Sequence, residues 1–320
     1  MIELQAVGKS YGATQAIDGV SLTIERGELV VLIGASGSGK STLLKMINRL
    51  VEHDRGKILF KGQEIRSFRR EDIRRRMGYA IQSIGLFPHW SVARNIATVP
   101  ELLGWPAARI AARVDELLAL LDLAPAQYRG RYPHQLSGGQ QQRVGVARAL
   151  AADPEALLMD EPFGALDPIA RQALQDELSR IHRASGKTIV LVTHDIDEAL
   201  RLATRIVLLD HGRIVQAGTP AQLLAAPADR FVGDFIGRRD LGLKLLGLQT
   251  VAERLRIGER VEGEPVPATL SLREALSLFV ERHAERLPVA DAQGQVLGAI
   301  HFADLLLAFT ATPASGRGPG

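Results

Sequence analysis

The feature that most restricts the fold of this chain is a glycine-rich loop with the one-letter sequence GASGSGKS at residues 34–41. The loop matches the pattern G-x-x-x-x-G-K-[ST]. It follows the apolar run Glu28–Ile33 and precedes the helical pattern Ser41–Leu50, which is the strand–loop–helix context that the pattern requires. Apolar β-branched runs and helical patterns then alternate to about residue 235. This alternation predicts an α/β fold with a mostly parallel core sheet covered by helices.

The loop predicts a phosphate-binding site. Its glycines allow backbone N–H groups to turn towards phosphate oxygens, and the following helix presents its positive end to the same anion. The Lys40 ammonium can reach the β- and γ-phosphates, and the Ser41 hydroxyl can ligate Mg²⁺. We expect ATP and Mg²⁺ as ligands, because a chance Gly/Ser loop would rarely have this context. The loop residues predicted to bind nucleotide are Gly34, Ala35, Ser36, Gly37, Ser38, Gly39, Lys40, Ser41 and Thr42.

A second motif ends the short buried strand Ala156–Met159 with two adjacent carboxylates. Asp160 would hold Mg²⁺ through water, whereas Glu161 points elsewhere and could act as the general base towards the attacking water. A strand followed by a polar turn is the simpler interpretation of this segment alone. The presence of the phosphate-binding loop favours the catalytic interpretation.

A third motif, LSGGQQQ at residues 136–142, places two glycines before a helix that we expect to begin near Gln140. It predicts a second anion site, made of a helix N-terminus and free backbone amides. A chain with one phosphate-binding loop and one further anion site suggests a symmetric dimer. Each γ-phosphate would then lie between the loop of one subunit and Ser137–Gly139 of the other.

With these motifs the chain resembles the nucleotide-binding subunits of ABC transporters over residues 1 to about 235. The resemblance implies a P-loop NTPase fold of ABC type. Two early strands, Ile2–Ala6 and Ile17–Ile24, are expected in a small antiparallel β subdomain, and residues 91–150 are expected to form a helical insertion. The residues that match the signature motif of the family, and that would act on the partner's ATP, are Leu136, Ser137, Gly138, Gly139 and Gln140.

The same resemblance assigns roles to single residues. Tyr11 stands where an aromatic ring stacks on adenine, and Gln82 where a glutamine senses Mg²⁺ and contacts the membrane partner. The segment Ala165–Asp167 matches the D-loop, and His194 matches the switch histidine that contacts the γ-phosphate. Each of these residues alone has a simpler structural interpretation, so their joint order and spacing support the assignment. The implied catalytic residues are Glu161, His194 and Gln82, the implied D-loop residue is Asp167, and the implied Mg²⁺ ligands are Ser41, Gln82 and Asp160.

Composition restricts the partners and the location. The chain has 320 residues, a formal charge of +3 and no cysteine, so disulfides and thiolate metal sites are excluded and no nucleic-acid partner is expected. Neither a signal peptide nor an apolar run of the roughly 18–20 residues of a membrane span is recognised. We therefore expect a cytosolic protein whose membrane role comes through a partner. The resemblance to ABC transporters implies a peripheral position at the cytoplasmic face of the inner membrane. The basic run Arg69–Arg76 is predicted to be a solvated helix face, with contact to lipid head groups as the alternative.

The sequence pattern changes near residue 236. We predict an ABC-type nucleotide-binding domain at 1–236, a connector at 237–268, a small α+β module at 269–310 and a disordered tail at 311–320. Within the module, helices are expected at Ser271–Glu281 and Phe302–Phe309. Strands are expected at Arg286–Ala290 and Val296–Ile300.

The C-terminal module resembles one cystathionine-β-synthase-type (CBS) motif. Such motifs normally pair in tandem, and only one copy is recognised, so the second would come from a dimer partner. His301 stands where nucleotide-binding motifs often have Thr or Ser, which argues against adenosine binding. A sensor of ionic strength and a packing module without ligand both remain open.

The segment after the predicted core strand indicates the kind of transporter. The absence of a fused membrane segment suits an importer subunit. Ile81 stands where most importers of the family have Phe, and Tyr79–His89, Val99–Pro100 and Trp105 resemble the ATPase subunits of importers for glycine betaine, carnitine or choline. The implied partners are a second copy of the chain, membrane permease subunits and, indirectly, an extracytoplasmic binding protein. Polyamine, sulfate or amino-acid cargo is the alternative, and a non-transport ATPase acting on nucleic acid or ribosomes is a third hypothesis.

Overall fold

A computed structural model of the chain describes residues 1–81, 85–164, 166–237 and 240–309, with side chains described to Leu306. Contacts divide the chain into two compact units, Met1–Thr219 and Pro220–Gly320. The predicted domain boundaries at residues 236, 268 and 310 stay predictions. None of the helices in the described part of the chain has both the length and the apolar character of a membrane span.

The first unit alternates strands and helices along the chain. Its strands are β1 (Ile2–Tyr11), β2 (Thr14–Ile24), β3 (Leu29–Ile33), β4 (Arg55–Phe60), β5 (Gln63–Glu64), β6 (Met77–Ala80), β7 (Ala156–Asp160), β8 (Thr188–Val192), β9 (Arg205–Asp210) and β10 (Arg213–Gly218). Its helices are α1 (Lys40–Ile47), α2 (Arg70–Arg76), α3 (Val92–Leu102), α4 (Ala107–Leu120), α5 (Pro125–Tyr128), α6 (Gly138–Leu150), α7 (Pro168–Ser185) and α8 (Ile196–Leu202), with short 3-10 turns at Ile65–Ser67 and Pro133–Gln135.

The central sheet of this unit has the strand order β10-β9-β3-β8-β7-β6. All neighbours pair in parallel except β9 and β10, which are antiparallel. Every residue of β3, β7 and β8 is buried, as expected for parallel strands covered on both faces by helices. The predicted mostly parallel core sheet is confirmed. Because β3, β8 and β7 are neighbours, the segments that follow their carboxyl ends meet at one edge of the sheet.

The small antiparallel sheet is also confirmed, with the order β2-β1-β4-β5. Its first hairpin is longer than predicted, since β1 continues from Ala6 to Tyr11 and β2 begins at Thr14. The extension was missed because register shifts after Leu4 and Val7 interrupt the apolar–polar alternation. One hydrophobic core joins this sheet to α1 and the central sheet. It includes Leu4, Leu22, Phe60, Leu44 and Val190, all buried.

The helical insertion predicted at residues 91–150 contains α3 to α6. Helix α6 begins at Gly138, two residues before the predicted start near Gln140. The earlier start has a local cause. Ser137 is the N-cap, and its hydroxyl accepts a hydrogen bond from the Gln140 N–H while the Gln140 side chain accepts one from the Ser137 N–H.

The second unit contains a four-stranded sheet with helices. Its elements are α9 (Pro220–Ala225), α10 (Arg230–Ile236), α11 (Leu241–Gly247), β11 (Arg256–Ile257), β12 (Val266–Pro267), α12 (Leu272–Glu281), β13 (Arg286–Ala290) and β14 (Val296–His301), with 3-10 turns at Val251–Arg254 and Phe302–Phe309. The strand order is β11-β14-β13-β12. The predicted helix Ser271–Glu281 and both predicted strands are present. The predicted helix Phe302–Phe309 is present as a 3-10 helix. The segment predicted to be a connector contains the helix α11, which was not expected.

Helix α11 was not predicted because the composition of this segment is typical of a linker. Its sequence, LGLKLLG, was interpreted as a linker because glycine weakens helices. Leu246 is buried, however, and belongs to the core of the second unit with Leu272, Phe279 and Leu287. Burial of this apolar face by tertiary contacts stabilises a helix that local propensity does not predict.

Candidate functional site

Two glycines of the loop at residues 34–39 hold backbone conformations that a side chain would obstruct. At Gly34, with φ +149°, an added Cβ would lie 2.1 Å from the Leu209 carbonyl oxygen. At Gly39, with φ +102°, it would lie 2.5 Å from the Ala16 carbonyl oxygen. The loop therefore packs closely on β9 and on β2 at these two points. At Gly37 an added Cβ would meet nothing within 4 Å, so this part of the loop faces open space.

Lys40, the first residue of α1, lies beneath the loop. Its side chain is buried, and Nζ donates hydrogen bonds of 2.8 Å to the carbonyl oxygens of both Gly34 and Ala35. Burial lowers the pKa of Lys40, while the negative charges of Glu161 and Asp160 act in the opposite direction. A buried ammonium group next to a loop of glycines is suited to bind an anion such as a phosphate.

Ser41 joins the loop helix to the end of β7. Its Oγ donates a hydrogen bond of 2.7 Å to Oδ1 of Asp160, which is buried. Burial raises the pKa of Tyr79, and the negative charge of Asp160 adds to the shift, so this neighbouring phenol stays protonated. Ser41 and Asp160 supply hard oxygen ligands of the kind that Mg²⁺ prefers. Thr42, the next residue of α1, is half-buried.

Glu161 and His194 follow β7 and β8 at the same edge of the sheet. Glu161 has φ +46°, a left-handed conformation that is uncommon outside glycine. Its N–H donates to the Val192 carbonyl oxygen at 3.0 Å, and its Oε1 lies 3.5 Å from Nδ1 of His194. The Glu161 side chain is 22% exposed and that of His194 is 64% exposed. Both side chains are therefore in contact with solvent at this edge of the sheet.

The signature segment lies at the N-terminus of α6, with Leu136 buried and Ser137 and Gly138 exposed. A Cβ on Gly139 would lie 3.3 Å from the Ala170 Cβ, so only a small residue fits here against α7. Asp167 caps that helix by accepting hydrogen bonds from the N–H groups of Ile169 and Ala170.

Not all predicted site residues are brought together within one chain. Among the described residues, no hydrogen bond joins the signature segment Leu136–Gln140 to the loop 34–42; Gln140 instead donates to the Tyr128 hydroxyl at 3.1 Å. Tyr11 ends β1, is 50% exposed and has Nζ of Lys9 5.3 Å from its ring centroid. Gln82 and Ala165 lie outside the described residues.

A groove lies on the surface of the first unit. It has a volume of about 340 Å³ and is lined by residues of α2, β6, α3 and α6 and by Phe87, which is 39% exposed. Arg74, Arg75 and Arg148 contribute basic groups to its lining, and Val99 and Ala149 contribute apolar ones.

The loop that borders this groove is held by Asn95, a residue that was not predicted from the sequence. Asn95 of α3 is fully buried. Its Nδ2 donates hydrogen bonds of 3.1 Å to the carbonyl oxygens of Phe87, Trp90 and Ser91, and its Oδ1 accepts one of 2.8 Å from the Phe87 N–H. Arg148 donates to the Gly85 carbonyl oxygen at 2.6 Å. In the sequence, the one indication of this role is that Asn95 is an amide on the apolar face of a helix, where a buried polar group needs hydrogen-bond partners.

The comparison with known proteins agrees with this geometry. The family model described as ABC transporter matches residues 17–164, and the CBS domain model matches residues 264–311. The chain is 63% identical to the glycine betaine uptake system ATP-binding protein YehX of Escherichia coli (strain K12), over 96% of this chain and 99% of that protein. The chain belongs to the ABC transporter ATP-binding family. It is an ABC-type ATPase with a C-terminal CBS domain.

The chain is also similar to a second transport protein and to a solved structure. The glycine betaine/carnitine/choline transport ATP-binding protein OpuCA of Bacillus subtilis (strain 168) is 46% identical, over 94% of this chain and 78% of that protein. Among solved structures, the ATP-binding cassette MJ0796, in a dimeric post-hydrolysis state bound to ADP and Pi, has a TM-score of 0.63. It is 32% identical and covers 69% of this chain and 99% of that chain.

Proposed function

We propose that this protein is the ATPase subunit of an importer for quaternary-amine compatible solutes, with glycine betaine as the foremost cargo. The similarity to YehX supports this proposal most directly, because it extends over 96% of this chain, CBS domain included. The resemblance of Ile81 and the following segment to quaternary-amine importers is in agreement.

The edge of the central sheet would bind and hydrolyse ATP. The backbone amides of the loop and Lys40 would hold the phosphates, and Tyr11 would stack on the adenine. Ser41 and Asp160, with Gln82, would hold Mg²⁺, which when bound neutralises charge on the β- and γ-phosphates. Glu161 would accept the proton of the attacking water, and His194 would contact the γ-phosphate. Catalysis then rests on positioning and charge stabilisation, with no covalent intermediate.

We further propose that the working unit is a homodimer. The exposed N-terminus of α6 at Ser137 and Gly138 would complete the nucleotide site of the second copy, with Asp167 at the same interface. The signature segment has no hydrogen bond to the loop of its own chain among the described residues, which agrees with an action in trans. The similarity to a cassette described as a dimer bound to ADP and Pi gives further support.

The groove beside Phe87 would receive a cytoplasmic segment of the permease. A groove that combines apolar residues with three arginines suits an amphipathic segment with an acidic group. The protein would therefore lie peripherally at the cytoplasmic face of the inner membrane. The permease in turn would receive cargo from an extracytoplasmic binding protein.

The CBS domain has a polar cluster that favours a packing role over a nucleotide site. Arg256 donates two hydrogen bonds to the buried carboxylate of Asp304, and the His301 N–H donates a third. The His301 ring lies 2.8 Å from a Glu259 carboxylate oxygen. These groups already satisfy one another. Deletion of residues 238–320 should therefore leave any salt dependence of the ATPase in the assembled transporter unchanged, and loss of such a dependence would favour a sensor.

The cargo is tested by uptake of labelled glycine betaine, carnitine and choline in cells that contain this ATPase together with its permease and binding protein. We expect uptake of at least one of them, and its loss with Glu161→Gln. Sulfate is the second candidate, because the sulfate/thiosulfate import ATP-binding protein CysA of Caulobacter vibrioides is 42% identical over 99% of this chain. Uptake of sulfate without any quaternary amine would contradict the cargo and leave the ATPase assignment in place.

A further inference from the structure

The turn that carries His194 is fixed by hydrogen bonds that the proposed chemistry does not itself use. Oγ1 of Thr193 accepts a hydrogen bond of 3.1 Å from the Asp195 N–H and donates one of 2.6 Å to Oε2 of Glu198. Since a hydroxyl has a single proton, these two contacts define its direction. The backbone on both sides of His194 is thereby held in one conformation.

Glu198 is an unusual residue for this place. It lies on α8 and is only 6% exposed, and a buried carboxylate is costly unless it has partners. Burial raises its pKa and the charge of Asp195 adds to this effect, while the hydrogen bond from Thr193 opposes it. Burial of the Glu198 carboxylate costs free energy, and its contact with Thr193 gives a reason for its presence at this position.

Arg171 connects the His194 turn to the Leu166–Asp167 segment. Arg171 on α7 faces both carboxylates, with Nε 3.8 Å from Oε1 of Glu198 and Nη1 3.9 Å from Oδ2 of Asp195. Its Nη2 donates a hydrogen bond of 3.3 Å to the Leu166 carbonyl oxygen, next to Asp167. The contacts therefore run without interruption from Leu166 to the turn of His194.

We propose that Glu198 is a positioning residue for His194, and that Arg171 couples the His194 turn to the Leu166–Asp167 segment. This inference rests on the proposed role of His194 at the γ-phosphate. In the proposed dimer, Asp167 lies at the interface. A displacement of that segment by the second copy reaches the switch histidine through Arg171 and Glu198.

The simpler alternative is that these residues only join α7 to α8. The chain offers a matched control for it, because Arg201 of α8 also pairs with Asp176 of α7, at 2.6 Å between Nη2 and Oδ1. That pair is on the surface, with side chains 37% and 58% exposed, and makes no contact with the His194 turn among the described residues. Arg201→Ala therefore breaks a helix–helix contact without touching the hydrogen bonds and ion pairs between Leu166 and the His194 turn.

The first test compares ATP hydrolysis by the full-length protein and four variants. We expect Thr193→Val and Glu198→Gln to lower kcat roughly 10- to 100-fold, the range known for a misplaced catalytic group, with little change in ATP affinity. Thr193→Ser keeps the hydroxyl and should retain most of the wild-type kcat, as should Arg201→Ala. Equal losses of kcat in Thr193→Val, Thr193→Ser and Arg201→Ala would overturn the proposal in favour of simple packing.

The second test asks whether Glu198 acts through His194. In a His194→Ala background, Glu198→Gln should cause little further loss of kcat, because residues that act as a unit are not additive. A loss as large as in the wild-type background would overturn the proposal. Unchanged kcat in His194→Ala alone would instead contradict the proposed role of His194.

Hydrogen exchange provides a readout that does not depend on activity. Exchange at the Asp195 amide should accelerate in Thr193→Val, which lacks the acceptor, and stay at the wild-type rate in Thr193→Ser and Arg201→Ala. An unchanged rate in Thr193→Val would show that the hydroxyl does not hold the turn, whatever the ATPase assay gives.

Discussion

Each of the two units has a group of charged residues at the ends of its strands. The two groups differ in how far their charged side chains are paired with one another or exposed to solvent. At the sheet edge of the first unit, Asp160 and Glu161 face one buried lysine, and Glu161 and His194 retain exposed surface. In the second unit, Arg256 binds Asp304 through two hydrogen bonds. We expect a cluster that binds a ligand to keep charged groups exposed to solvent, whereas a structural cluster pairs its charges with one another.

The largest effect should come from the partly exposed carboxylate of Glu161. Glu161→Gln keeps the size of the side chain and removes the base, so we expect kcat to fall by about 10²–10⁴-fold. ATP binding should persist, and the protein with ATP should elute as a dimer in gel filtration. Calorimetric unfolding is the control, because the substitution should leave the melting temperature close to that of the wild type. Normal turnover would show that Glu161 is not the base.

The next effect concerns the loop itself. Gly34→Ala forces a Cβ to within 2.1 Å of the Leu209 carbonyl oxygen, so the loop must move and ATP affinity should be lost. Gly37→Ala is the matched control, since φ there is +80° and no atom lies within 4 Å of the added carbon. It carries only the conformational cost, about 1–2 kcal/mol. Chemical denaturation and nucleotide titration of both variants measure the difference. Equal destabilisation would mean that the contact with β9 does not hold the loop.

A smaller effect is expected in the internally satisfied cluster. Asp304→Ala leaves Arg256 without its bidentate partner and removes the acceptor of the His301 N–H. We expect the free energy of unfolding of the second unit to fall by about 1–2 kcal/mol. A urea titration in which hydrogen exchange of the β14 amides is the readout measures this change. An unchanged free energy of unfolding would show that Asp304 is not a structural residue, and it would contradict the contrast between the clusters of the two units.

The smallest effect is a dependence on pH. The hydrogen bond from Arg256 is the foremost reason why the pKa of Asp304 lies below its usual value. A carboxyl group with a lowered folded-state pKa stabilises the fold fully above its unfolded pKa, about 4, and loses this contribution as the pH falls through the folded value. Urea midpoints between pH 7 and pH 3 should therefore fall less in Asp304→Asn than in the wild type. Identical slopes would contradict the lowered pKa.

Much of the fold and of the site followed from local sequence. The loop 34–41, the carboxylates after β7 and the turn after β8 were recognised because each is a short motif next to a continuous apolar strand. Thr193, Glu198 and Asn95 were not, because their hydrogen bonds join residues five and eight positions apart in turns that no motif describes. Arg171 was not, because its contact with Glu198 is a tertiary contact between α7 and α8. Helix α11 was missed for the same reason, since its burial against α12 is a tertiary effect.

Helix α6 links two separate surfaces of the first unit through its two ends. It carries Ser137 and Gly138 at one end, and near the other end Arg148 holds the Gly85 carbonyl oxygen beside the groove. Its 13 residues make a rod about 20 Å long. A rod of that length transmits a tilt at one end as a displacement at the other. In the proposed dimer, the nucleotide of the second copy and the segment in the groove would thus act on opposite ends of one helix.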